Sequence, residues 1–312
     1  MPPVLSSAED AHPAPTASFF ICHTMRCGST LLCDALSSTG VAGSAEEYFP
    51  ERLPDGSPLV RTGAALKDPD TWVSDWTSTP FEECLDRALR SGTTPNGVFA
   101  SKVKWPNLAY LGELLEELPE GSILSLSEHL ASAFPNLRYV WVTRRDKVRQ
   151  AVSLAKARQS TQWKELSAQP QRSHAADYNF LVVDVALRGI VQEECLWEEF
   201  FTRAGITPFT VVYEDLVRNY ESTIRRLLDD LRIGLPSEYV FPAPRLRKQS
   251  DAESEEWVER YYRDVRSNRT WHAVRNLPAL FIKRRLRQTY VLPRLRTPVD
   301  RLRARGRRAD VR

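Results

Sequence analysis

The tightest constraint on the fold lies in residues 19–36, FFICHTMRCGSTLLCDAL. An apolar run ends at His23, the chain passes through MRCGST, and apolar residues resume as Leu31, Leu32, Ala35 and Leu36 at helical spacing. A buried strand that yields within a few residues to an amphipathic helix is the opening βα unit of a layered α/β protein. The turn between them carries Arg26 and Gly28 and opens the helix with Ser29 and Thr30.

Short runs rich in β-branched and aromatic residues recur at 18–23, 98–103 (VFASKV), 137–143 (LRYVWVT) and 209–213 (FTVVY). Helical patterns lie between and after them at 29–38, 81–91, 107–118, 145–158 and 184–204. Such alternation predicts a central parallel sheet covered by helices on both faces. In open α/β sheets the ligand sits beyond the carboxyl ends of the strands, where the first strand-to-helix turn often cradles phosphate. The proline-rich segment 50–80 reads as a long loop or irregular insertion, a type of segment that is often functional.

Composition bounds the remainder. With 42% hydrophobic and 27% charged residues in 312, the chain can bury a full core. No stretch approaches the roughly 18 uninterrupted apolar residues of a membrane span, and the N-terminus lacks the basic-then-apolar order of a secretory signal. The expected location is the cytoplasm. Five cysteines, Cys22, Cys27, Cys33, Cys84 and Cys195, form no CxxC pair, which argues against a disulfide framework or a structural zinc. Residues 1–17 read as a flexible lead-in, 18–280 as the folded domain and 281–312 as a basic tail with a local excess of ten positive charges. That tail reads either as a contact for an acidic or anionic lipid surface, or as a solvated appendage. No nucleic-acid partner is expected.

A helix N-terminus leaves its first amides unpaired and carries partial positive charge, so the turn at 24–30 suits an anion. Gly28 permits close approach, Ser29 and Thr30 add hydroxyl donors, and Arg26 offers a forked cation for an oxyanion with several oxygens. The nucleoside-triphosphatase form of such a loop, GxxxxGK followed by Ser or Thr, needs a lysine where Ser29 stands and a glycine where His23 stands. An ordinary βα turn with an incidental arginine is the competing reading of the loop taken alone. At the end of the third strand, however, RRDKVRQAVS places Ser153 eight residues after Arg145. Eight residues are a little over two helical turns, so both groups meet one ligand only if Arg145 lies at the strand end and reaches back.

The stretches TMRCGST and RDKVRQAVS together resemble the sulfotransferases that use 3′-phosphoadenosine 5′-phosphosulfate (PAPS), whose loop reads Thr or Pro, any residue, then RSGST. TGVAGSAEEYF at 39–49, GVFASKVKW at 97–105, RRDKVRQAVSLAKARQ at 144–159 and LRKQSDAESEEWVERY at 246–261 are similar to the bacterial trehalose 2-sulfotransferase type. The resemblance implies a P-loop-like three-layer α/β fold, and transfer of a sulfuryl group to a hydroxyl with release of adenosine 3′,5′-bisphosphate. The acceptor it implies is a carbohydrate or glycosylated small molecule, and the assembly a homodimer. It further implies that Arg26, Cys27, Gly28, Ser29 and Thr30 hold the 5′-phosphosulfate, that Arg145 and Ser153 hold the 3′-phosphate, and that Arg247 and Lys248 close over it.

By the same resemblance Glu47 in the EYF segment is the general base, Arg26 stabilises the departing oxygen, and Glu47, Tyr48, Phe49, Lys102 and Trp105 meet the acceptor. Lys104 and Trp163 share the last expectation, although Trp105 and Trp163 are equally readable as core. No metal is expected. Three positions depart from the pattern: His23 at the strand end, Met25 for the usual proline, and Cys27 for the usual serine. Cys27 removes a hydroxyl donor and adds an oxidisable group. Two other readings stay open at this level: a P-loop nucleotide kinase or NTPase, for which VVYED at 211–215 offers a magnesium-binding strand end, and a non-catalytic nucleotide-binding scaffold.

Overall fold

A computed structural model describes residues 14–52, 58–59, 79–116, 124–160, 176–243 and 252–267. Trp163, Arg247, Lys248, the basic tail and residues 1–13 lie outside the described residues. In chain order the elements are β1 (Ala17–His23), α1 (Ser29–Ser38), β2 (Glu51–Arg52), β3 (Pro58–Leu59), α2 (Phe81–Gly92), β4 (Val98–Val103), α3 (Trp105–Glu116), α4 (Leu126–Ala133), β5 (Arg138–Thr143), α5 (Lys147–Ser160), α6 (Phe180–Ala204), β6 (Phe209–Val212), α7 (Tyr213–Arg218), α8 (Tyr220–Leu231) and α9 (Ala252–Arg266).

Strands β4, β1, β5 and β6 pair in that order, every pair parallel. Cys22 sits beside Val103 and His23 beside Val142, so three strand ends converge where the chain turns into α1, α3 and the loop before α5. The expected α/β layering is what the structure shows. Side chains alternate across each strand. Phe19 and Ile21 face one core with Leu32 and Leu36 of α1 and Ile224, Leu227 and Leu228 of α8. Phe20 and Cys22 face the other, with Leu108 and Leu111 of α3, Phe134 after α4 and Trp197 of α6. The third hydrophobic cluster joins α5, α6 and α9 through Val152, Ala155, Ile190, Trp257 and Tyr261.

Four helices went beyond the sequence pattern: α4, α7, α8 and α9. The first had a legible signal, a capping box in which the Ser125 hydroxyl accepts from the Glu128 amide while the Glu128 carboxylate accepts from the Ser125 amide. In α8 only one face is apolar, and it closes the sheet face opposite α3.

Tyr48 and Phe49, expected at the acceptor, are core side chains, 2% and 1% exposed. The Phe49 ring packs edge-on against Phe20 and Phe134, at 6.0 and 5.7 Å between centroids. The Tyr48 hydroxyl is directed at the carbonyls of Ser44 and Ser91, at 2.7 and 3.1 Å. Their physical role is to tether the 44–49 segment to the sheet, which a surface loop carrying a lone acidic residue would lack. We expect Phe49→Ala to lower the free energy of unfolding by about 3–5 kcal/mol, the usual cost of emptying a buried aromatic site. Denaturant titration reads this directly, and a loss below about 1 kcal/mol would return the ring to the acceptor surface.

Candidate functional site

Between β1 and α1 the backbone turns through two left-handed residues, Arg26 at φ 65° and Gly28 at φ 94°. Gly28 caps α1, and no side chain caps that helix start. A Cβ at Gly28 would stand 2.3 Å from Cδ2 of Tyr213, so the phenol ring lies directly against the turn. The Arg144 guanidinium lies 4.8 Å from the centroid of the same ring. Tyr213 was absent from the expected site; its signal was the VVYED strand end, readable from sequence only as a carboxylate motif.

Ser29 is buried at the first helical position, with its Oγ 3.2 Å from His23 Nδ1. His23 Nδ1 also lies 3.1 Å from the Thr24 carbonyl, which as an acceptor requires the proton on Nδ1. Burial, with Lys102 adding to it, pushes the imidazole down to about 3, so His23 is neutral. Cys27 is fully buried, and burial lifts its thiol to about 11. It is therefore a thiol and not a reactive thiolate at neutral pH.

The second expected subsite is divided. Arg145 lies ahead of α5, at the strand end as the spacing required, but its guanidinium meets Asp215 through Nη1 and Nη2 at 2.8 and 2.5 Å. Glu214 accepts from the backbone amides of Arg145 and Asp146 at 3.0 and 3.2 Å, fixing that turn. Ser153, expected beside Arg145, instead has its Oγ 3.0 Å from Nε of Arg26. The structure thus brings Arg26 and Ser153 together and turns Arg145 toward α7. It also gives the VVYED carboxylates a local task, holding the Arg145 turn.

Glu47 is where three charges meet. Its Oε1 lies 3.1 Å from Lys102 Nζ and its Oε2 3.3 Å from Lys104 Nζ, while Glu51 stands 3.9 Å from the same Lys104 nitrogen. The Glu46 carbonyl accepts from the Lys102 amide at 2.9 Å and the Ser101 hydroxyl at 3.1 Å, laying the segment along β4. Lys102 lies in β4 and Lys104 just past its end, and both side chains reach the same carboxylate. Burial alone would raise the Glu47 carboxyl, but the two lysines outweigh it and hold the group at about 2. Burial would depress Lys102, and Glu47 overrides it to raise that ammonium above its ordinary value.

Glu193 of α6 faces the same corner. Its Oε1 accepts from the Trp105 amide at 3.2 Å, and burial raises its carboxyl to about 7 despite the nearby Lys104. Trp105 is partly buried, with its ring 5.4 Å from Trp197 and 6.0 Å from Phe200, so most of its contact is with the core. Nothing in the sequence marked Glu193, which lies within an ordinary run of helical acids.

A family model described as Stf0 sulphotransferase matches residues 18–264. A trehalose 2-sulfotransferase of Mycobacterium tuberculosis is 32% identical over 255 residues, covering 78% of this chain and 93% of that protein. A trehalose 2-sulfotransferase of Mycolicibacterium smegmatis is 30% identical over 271 residues, covering 80% and 96%. A solved sulfotransferase from Alicyclobacillus acidocaldarius aligns at 15% identity with a TM-score of 0.41, over 81% of this chain and 93% of that one.

Glu193 has a folded-state pKa raised above its unfolded value, so its protonated form favours folding below about 4.5 and that contribution disappears as pH rises through 7. His23 has the opposite slope, gaining stability with rising pH between about 3 and 6.5. The two cancel over much of their range, and a difference between variants separates them. Stability of Glu193→Gln minus that of the parent is expected to rise by about 3 kcal/mol between pH 4.5 and 7, at about 1.4 kcal/mol per unit. A flat difference curve from denaturant titrations across that range would show that Glu193 is already ionised.

Proposed function

The chain belongs to the Stf0 sulphotransferase family, and from that premise we propose that it moves the sulfuryl group of PAPS to a carbohydrate hydroxyl, with Glu47 as general base. The observation that carries this reading is Glu47 held between Lys102 and Lys104, at the strand ends that converge on the Arg26–Gly28 turn. A base and a group of cations beside an uncapped helix start are what transfer from an anionic donor to a neutral hydroxyl needs. Relatives named trehalose 2-sulfotransferases make a disaccharide the first acceptor class to test, and the same reading takes the protein to be a cytoplasmic homodimer.

The residues present fit the donor. Gly28 lets a phosphate approach the start of α1, and Arg26 and Ser29 supply side-chain donors there. Arg145, released from Asp215, and Ser153 serve the 3′-phosphate, with Arg247 and Lys248 as further cations. In the reaction a bond forms between the acceptor oxygen and sulfur, while the bond from sulfur to the bridging phosphate oxygen breaks. The electron pair leaves with adenosine 3′,5′-bisphosphate, where Arg26 and the loop amides stabilise the growing charge. The hydroxyl proton goes to Glu47.

A carboxylate at about 2 is ionised at every physiological pH yet is a weak base. Two things make it sufficient. The hydroxyl proton becomes strongly acidic once its oxygen shares electrons with sulfur, and sulfuryl oxygens are alternative partners for Lys102 and Lys104, whose withdrawal strengthens Glu47 as a base. Neither contribution requires a metal ion.

Glu47→Gln keeps the size and, through its one amide oxygen, a contact to one of the two lysines, but cannot take a proton. We expect it to bind adenosine 3′,5′-bisphosphate as the parent does, and to transfer radiolabelled sulfate to a disaccharide acceptor at least roughly 10²-fold more slowly. A Glu47→Gln enzyme as fast as the parent would remove the base from this residue. The acceptor itself is read from cell extract treated with labelled PAPS, by mass spectrometry of whatever gains sulfate.

A further inference from the structure

We propose that Gln150 is a positioning residue for the donor site, holding the 24–26 backbone so that Arg26 and the neighbouring amides face the 5′ end of the nucleotide. The proposal rests on the donor reading above. Gln150 lies on α5 one turn before Ser153 and is fully buried. Its Nε2 donates to the Thr24 hydroxyl oxygen at 2.9 Å and to the Met25 carbonyl at 2.8 Å. A carbonyl only accepts, so the orientation of the amide is forced.

The residue that follows Met25 is the one whose backbone needs holding. Arg26 has φ 65°, a region that costs a non-glycine residue about 1–2 kcal/mol and persists only where the surroundings over-determine it. One face of α5 grips both parts of this residue's neighbourhood: Gln150 holds the peptide before it and Ser153 accepts from its Nε. Arg26 is thereby tied to the helix that follows the second anion-binding turn.

A purely structural account of Gln150 meets a difficulty. Its Oε1 is buried without a hydrogen-bond partner among the described residues, and an orphan acceptor of this kind costs stability. An apolar side chain of the same length would fill the space without that cost. The amide therefore has its justification in the two bonds to the turn, and those bonds act on the position of Arg26.

The test separates the two ends of the nucleotide. Calorimetric dissociation constants are measured for adenosine 3′,5′-bisphosphate and for adenosine 3′-monophosphate, which lacks the phosphate that meets the 24–30 turn. In Gln150→Met, bisphosphate affinity is expected to fall by roughly tenfold, the loss of about one charge-assisted hydrogen bond's alignment, while 3′-monophosphate affinity stays within about twofold. In turnover, kcat/KM for PAPS falls in the same proportion and KM for the acceptor is unchanged. If Gln150→Met does not fold, Gln150→Glu, which keeps the shape and sets a carboxylate against the Met25 carbonyl, is measured in its place. An unchanged ratio of the two constants, or a parallel loss of both, overturns the positioning role while leaving the donor reading intact. A parent protein that binds neither nucleotide overturns both.

Discussion

The arrangement of the site depends on one constraint, that β1 runs between β4 and β5 with all three strands parallel. Parallel strands deliver their carboxyl ends to one edge of the sheet, and only a central strand has both neighbours' ends within reach of its own. His23 therefore emerges beside Val142 on one side, with Lys104 following Val103 on the other. Were β1 an edge strand, the Arg26 turn could meet the lysines or the Arg145 turn, but not both. The two cores enforce this placement, since Phe19 and Ile21 bury against α1 and α8 while Phe20 and Cys22 bury against α3 and the Phe134 cluster.

At that edge the charges are kept in balance by burial as much as by pairing. Lys102 is 8% exposed, and burial alone would depress its ammonium. Glu47 overrides this through its contact with Lys102, and its other oxygen meets Lys104, itself 5% exposed. Burial, with the two lysines adding to it, keeps His23 neutral, and burial pushes Glu193 toward the neutral acid despite the nearby Lys104. One corner thus contains a carboxylate pushed down and a carboxylate pushed up, separated by Lys104. Environments that drive like groups apart in this way are typical of sites that move protons.

How much of this was legible varies with the kind of contact involved. The strands and the turn at 24–30 follow from local period and spacing, and each was readable. Arg145 ahead of its helix was also readable, from the eight-residue gap to Ser153. What sequence could not show is which side chains those backbone positions bring together. Tyr213 reaches Gly28 across 185 positions and Ser153 reaches Arg26 across 127, and no local pattern encodes such meetings. Tyr48 and Phe49, expected at the acceptor, are buried for a related reason: they adjoin Glu47 in the chain, and anchoring that glutamate requires its neighbours to be inside.

The same anchoring explains why a weakly basic carboxylate can be retained at such a position. A glutamate on a mobile loop would choose its own partner, whereas here the Glu46 carbonyl is bonded to β4 and the Tyr48 and Phe49 rings are buried beneath it. The carboxylate has few positions to occupy, and two buried cations face it. Any anion that competes for those cations acts on Glu47 without touching it, because each lysine that turns away removes one of the interactions holding the carboxyl near 2. The basicity of this carboxylate is then set by what sits on the lysines. On the proposed reading of Glu47 as general base, that base is weakest when no anion engages Lys102 and Lys104 and strongest when sulfuryl oxygens do, and the same reading places proton acceptance after donor engagement.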